Sequence, residues 1–150
     1  LLLDVSHRIH ANPELNFEEK AAHDLLCDVL EGEGIDTERH AHGLDTAFVG
    51  RAGERGPHLA VCLEYDALPG LGHGCGHNII AAAGLGAGLA AAAVADACGG
   101  RISIIGTPAE EGGGGKVLQL RAGAFDGIDA AMMTASEAST HCIATKFSPR

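Results

Sequence analysis

The sequence predicts an α/β fold, with three αβα layers about a largely parallel central sheet. Three observations carry that reading. The short apolar runs His58–Leu63, Arg101–Gly106 and Asp129–Met133 have the length of buried strands, and the second is also β-branched. Helical stretches separate them, so strand, loop and helix alternate along the chain. The first two runs lead into loops rich in glycine and ionisable side chains, EYDALPGLGHGCGHN (64–78) and TPAEEGGGG (107–115). Parallel sheets gather their sites at the carboxyl ends of strands, so both loops are expected to face one crevice.

Taken in order, the chain begins as if inside a helix, LLLDVSHRIH. Asn16 to Glu19 (NFEE) has the form of a capping box, with Asn16 as N-cap and Glu19 reaching back. Behind it Ala22, Leu25, Leu26, Val29 and Leu30 share one helical face, and Gly32 and Gly34 close the helix. Thr46–Gly50 reads as a strand, joined to His58–Leu63 by the turn-rich RAGERGP. Ile79–Ala95 is 17 residues without a charge, at the lower edge of a membrane-spanning length. Nine of them are Ala and only five are Ile, Leu or Val, so a buried helix is the expectation, with Gly84, Gly86 and Gly88 pressed onto the sheet. A further helix follows the second loop, over about 116–122. No internal repeat or linker divides the domain.

Composition narrows the partners. The 150 residues are 46% hydrophobic but only 3% aromatic, so the core is built from Ala, Val, Ile and Leu. A formal charge of −10 and the lack of any Lys/Arg cluster argue against nucleic acid or an anionic membrane as partner. Five scattered cysteines with no C-x-x-C fit a reducing, cytoplasmic setting better than a disulfide framework. No signal peptide is visible.

The chemistry lies in the two loops. Alternating glycines from Gly70 to Gly76 ruin a strand and suit a backbone bent closely around something small. Cys75 and His77, one residue apart, are ligand types for zinc-like ions, and as a lone pair they are weak evidence. Glu110 and Glu111 stand side by side before four glycines. On extended backbone, adjacent carboxylates point differently, so one can bind an ion while the other handles a proton; a solvated acidic turn is the bland alternative. Phosphate-loop readings fail, because GGGGKV lacks both the leading glycine and the Ser/Thr of the P-loop. Cys75 as a nucleophile with His77 as base is disfavoured by their closeness on a tight loop.

Together SHRIHANPELNFEE, EYDALPGLGHGCGHN, GRISIIGTPAEEGGGGK and AFDGIDAAMM, in that order from about Ser6 to Met133, resemble the metal-dependent aminoacylase/carboxypeptidase family, metallopeptidase family M20. The branch is that of amidohydrolases and p-aminobenzoyl-glutamate hydrolases. The resemblance implies a catalytic domain with two divalent ions, zinc or manganese foremost, cleaving an amide beside a free carboxylate. It implies that Cys75 bridges the ions, His77 and Glu111 bind them, and Glu110 is the general base. Asp66 falls in a D-x-x-P motif of supporting role and stays unassigned, since Glu64 replaces the histidine that other branches place beside it. His73 reads as structural, and His7 and His10 as helix-surface or packing residues.

Two departures stand against the family pattern. Ala135 falls where a ligand histidine is usual, with His141 as the candidate substitute. Family members are also much longer, with an inserted lid domain and a late ligand histidine. Residues 1–150 therefore read as part of a catalytic domain, inactive alone and with an exposed sheet edge that favours association into a homo-oligomer. The substrate implied is an N-acyl amino acid, an aminobenzoyl-glutamate-like amide or a dipeptide. The rival is a non-catalytic metal-binding or interaction protein with an incomplete ligand set.

Overall fold

Short apolar strands make the centre of the sheet, and everything else is placed against them. A computed structural model of the chain describes residues 1–134 and the short strand at 145–146. The elements are α1 (Leu2–Ala11), α2 (Lys20–Gly32), β1 (Asp36–Arg39), a 3-10 turn (Ala41–Gly43), β2 (Phe48–Ala52), β3 (His58–Leu63), α3 (His77–Cys98), β4 (Arg101–Gly106), α4 (Gly115–Arg121), β5 (Ala130–Met133) and β6 (Thr145–Lys146). They form one six-stranded sheet in the order β1-β2-β4-β3-β5-β6.

The expected parallel arrangement holds at the centre: β3 pairs with β4 on one side and with β5 on the other, both parallel. The flanks depart from it, since β1–β2, β2–β4 and β5–β6 are antiparallel. A parallel pair needs a long crossover connection, and only the central strands are joined by helices. Strand β1 (DTER) escapes a pattern reading because it is almost entirely charged. It is held by β2 and by Arg39, which donates to Asp28 (2.6 Å) and Glu31 (2.8 Å) on α2.

The helices cover the two faces unequally. Helices α1, α2 and α3 bury Val5, Ile9, Leu26, Leu30, Ala81 and Leu85 against Phe48, Val61, Leu63, Ile102 and Ile104. Full burial of each Leu or Phe side chain contributes about 1.5–3 kcal/mol. The opposite face is thinner, with Val49, Ala60, Ile105 and Ala131 beneath Ala41, Ile128 and Phe125. Helix α3 is long and apolar enough to cross a membrane by length and composition, yet it packs against β3, β4 and α1. Its glycines explain how closely: a Cβ on Gly84 would lie 3.0 Å from the Leu63 side chain, and one on Gly88 2.7 Å from Ile104. Gly86 does not face the sheet as expected; a Cβ there would meet Leu2 of α1 at 2.6 Å.

The capping box expected at Asn16–Glu19 does not form. Helix α2 starts at Lys20 with Glu19 as N-cap and no side-chain cap from it. The Glu14 carboxylate takes the free amides of Ala21 (3.0 Å) and Ala22 (2.9 Å) instead. Glu19 is wholly buried and turned elsewhere. Strand β2 likewise starts two residues later than expected, because Thr46 uses its hydroxyl on Glu19 and its carbonyl on Tyr65.

Candidate metal centre

Register decides where the two loops meet. Leu63 pairs with Gly106 at the carboxyl ends of β3 and β4, so the loops begin side by side at Glu64 and Thr107. Thr107 locks the junction by donating both its amide and its hydroxyl to the Leu63 carbonyl, each at 2.8 Å. The two loops therefore lie together at one sheet end, as expected from sequence.

His77 is its centre. It opens α3, behind left-handed Gly76, and is 4% exposed. Its Nδ1 faces two acceptors, the Asp66 carbonyl at 2.9 Å and Asp66 Oδ1 at 3.0 Å, so Nδ1 must carry the proton. That leaves Nε2 to face three carboxylates: Glu64 Oε2 at 3.5 Å, Glu111 Oε1 at 3.6 Å and Glu110 Oε2 at 3.8 Å. Glu64, His77 and Glu110 each place a donor atom within 4.8 Å of the others. Burial alone would lower the His77 pKa, but Asp66 and Glu64 outweigh it and hold it above its ordinary value.

The supporting charges are set by burial and pairing. Burial raises the Asp66 pKa, yet the His77 hydrogen bond and the Glu111 amide, which donates to Asp66 Oδ2 at 2.9 Å, bring it below its ordinary value. Burial raises Glu64, opposed by Lys116, whose ammonium donates to Glu64 Oε1. Glu111 foremost, with burial and the negative charge of Glu110 and Asp66, pushes the Cys75 thiol up to about 11. A cation taken up by that thiol displaces its proton.

The residues fit a divalent cation. An imidazole nitrogen freed by a carboxylate on its far side, several carboxylate oxygens and a thiol make the donor set of zinc-like ions, with the orienting partner that such histidines need. Cys75, His77, Glu110 and Glu111, named from sequence, come together here. Glu64 and Lys116 were not anticipated, and Asp66 gains a definite place as orienter of His77. Their signal was weak, because a carboxylate or lysine 52 residues from its partner has no local pattern. His73 stands beside His10, ring centres 6.3 Å apart, and its burial lowers its pKa. His7 and His10 lie exposed on α1. Ala135 and His141 lie outside the described residues.

No family model matches the chain. Curated relatives do: it is 40% identical over 143 residues to the Xaa-Arg dipeptidase of Mus musculus, covering 86% of this chain and 33% of that protein. It is 34% identical over 154 residues to one of the subunits of the p-aminobenzoyl-glutamate hydrolase of Escherichia coli K12, covering 90% and 32%. The chain thus spans about a third of the length of these relatives. Among solved structures, the Bacillus subtilis YXEP protein, described as a dinuclear metal binding peptidase from the M20 family, superposes with a TM-score of 0.79 at 28% identity. That match covers 87% of this chain and 41% of that one.

Proposed function

The chain belongs to the M20 peptidase family, and from that membership we propose that the protein carrying it uses two divalent ions, zinc or manganese, to hydrolyse an amide. The substrate is an N-acyl amino acid, an aminobenzoyl-glutamate-like compound or a dipeptide. One observation carries the reading: the Nε2 of a buried, carboxylate-oriented histidine faces three carboxylate oxygens at 3.5–3.8 Å.

In this reading Cys75, His77 and Glu111 hold metal. Glu64 has one oxygen committed to Lys116 and steadies the site from below. Bound divalent ions supply Lewis-acid polarisation of the scissile carbonyl and a more acidic water. Glu110, its side chain 42% exposed where Glu111 is 20%, stands nearest to arriving substrate and water. It takes a proton from the attacking water and returns it to the leaving amine. Glu111 stays in place because its amide is held by Asp66.

The test is metal content and turnover of the full-length protein. Metal is measured after dialysis in wild type, Cys75→Ala and His77→Ala, and wild type is assayed on a panel of dipeptides and N-acyl amino acids. Both variants are expected to lose metal. Undiminished metal in both sinks the ligand assignment, and a metal-replete wild type that cleaves nothing on the panel favours the non-catalytic reading.

A further inference from the structure

Ninety residues of sequence separate Glu19 from Ala109, yet the Glu19 Oε1 accepts the Ala109 amide at 2.8 Å. Its other oxygen accepts the Thr46 hydroxyl, also at 2.8 Å. Glu19, Thr46, Tyr65 and Ala109 are all buried to 1% exposure or less. The chain of contacts continues, because the Tyr65 hydroxyl donates to the Thr46 carbonyl, and Tyr65 sits between Glu64 and Asp66. One buried network therefore reaches from the first site loop, through Thr46 and Glu19, to the second.

Ala109 gives the contact its meaning. Its φ is +55°, a left-handed backbone that alanine rarely adopts, directly before Glu110 and Glu111. Such a conformation persists only where its surroundings over-determine it. The turn around Glu19 also packs on the loop: a Cβ at Gly112 would lie 2.5 Å from Asn16 Nδ2, and one at Gly113 2.4 Å from the Phe17 ring. The same turn holds the first loop, through the Ala67 amide on the Glu14 carbonyl at 2.8 Å.

We propose that Glu19 is a positioning residue for the reaction, holding Ala109 left-handed so that Glu110 is aimed at the crevice beside His77. This rests on the functional reading above. Burial raises the Glu19 pKa, and the hydrogen bonds it accepts oppose that rise. A neutral glutamine keeps the essential parts, since its amide oxygen accepts the Ala109 amide and its NH2 donates to the Thr46 hydroxyl oxygen.

The experiment compares full-length wild type, Glu19→Ala, Glu19→Gln and Thr46→Val by hydrogen exchange at the Ala109 amide, bound metal, kcat and KM. In Glu19→Ala, exchange at Ala109 is expected to speed up while α3 amides stay protected, and kcat to fall about 10–100-fold with KM and metal near wild type, as displaced catalytic groups do. Glu19→Gln should restore both protection and kcat, and Thr46→Val should lie between. The inference is overturned if Ala109 stays protected in Glu19→Ala, if deprotection spreads equally through α3, or if Glu19→Gln is as damaged as Glu19→Ala. Should Glu19→Ala fail to fold, Thr46→Val decides: wild-type exchange and kcat there overturn the role. A wild type without amidase activity defeats the functional reading alone; exchange at Ala109 in Glu19→Ala and Glu19→Gln then decides this one, and protection retained in Glu19→Ala overturns it.

Discussion

The loop after β3 orients its central side chain from within, whereas the loop after β4 has its paired glutamates placed from outside. In the first, Asp66 orients His77 eleven residues away, and Leu68 and Gly72 bridge to each other. In the second, Ala109 is held by Glu19 from the start of α2 and Glu111 by Asp66 from the neighbouring loop. The lesson is that the central histidine is built from local sequence, while the aim of the paired glutamates depends on distant parts of the fold. Substitutions in the two loops should therefore fail in different ways.

The largest expected effect divides the second loop itself. Glu110→Gln in the full-length protein should stay metal-replete and bind substrate while losing about 10²–10⁴ in kcat, the usual cost of a removed general base. Glu111→Gln should lose metal instead, because an amide oxygen is a poorer donor than a carboxylate. Metal analysis beside steady-state kinetics checks both, and equal metal loss in the two variants would overturn the division of labour.

Asp66→Asn strikes the point where the loops join. An amide can accept from His77 or from the Glu111 amide but not from both, so one of the two bonds breaks. Metal affinity should drop about 10–100-fold, as for other lost orienting partners. The metal-free protein should show a pH signature too. The Asp66 pKa is below its ordinary 3.8 when folded. Its ionised form therefore stabilises the fold above that value, and the contribution disappears as pH falls through the lowered pKa. Thermal melts of metal-free wild type and Asp66→Asn should converge at that acid end; a gap independent of pH would contradict the assignment.

Glycine replacements sharpen the contrast at smaller cost. A Cβ on Gly115 would fall 1.9 Å from the Pro108 carbonyl oxygen, so Gly115→Ala must move backbone in the second loop, at about 1–3 kcal/mol or more. Gly70 in the first loop has φ +72° and open space around it, so Gly70→Ala carries only backbone strain of about 1–2 kcal/mol. Denaturant midpoints should rank them in that order. Turnover should suffer more in Gly115→Ala, which disturbs the backbone beneath Glu110.

Local pattern made much of this protein readable. Short apolar runs marked β3, β4 and β5, because strands at the centre of a sheet covered by other elements carry few polar side chains. The uncharged Ala/Gly stretch marked α3, and alternating glycines marked a loop with Cys75 and His77 on it. Residues 110 and 111 were legible as a pair for the same reason: four glycines beside them left no regular structure to hide in.

The partners of the carboxylates were decided by tertiary structure alone. Glu19 sits in a sequence that caps helices, and it gives up that local bond for Thr46 and Ala109 across the core. Glu64 meets Lys116 only because Leu63 and Gly106 are paired in register, and charged β1 becomes a strand only because β2 is there to pair with it. Sequence by itself determined which segments are apolar, which bend and which side chains can bind or move a proton. A carboxylate reads the same whether water or a buried donor faces it, so its partner, and with it the direction of its pKa shift, exists only once the chain has folded.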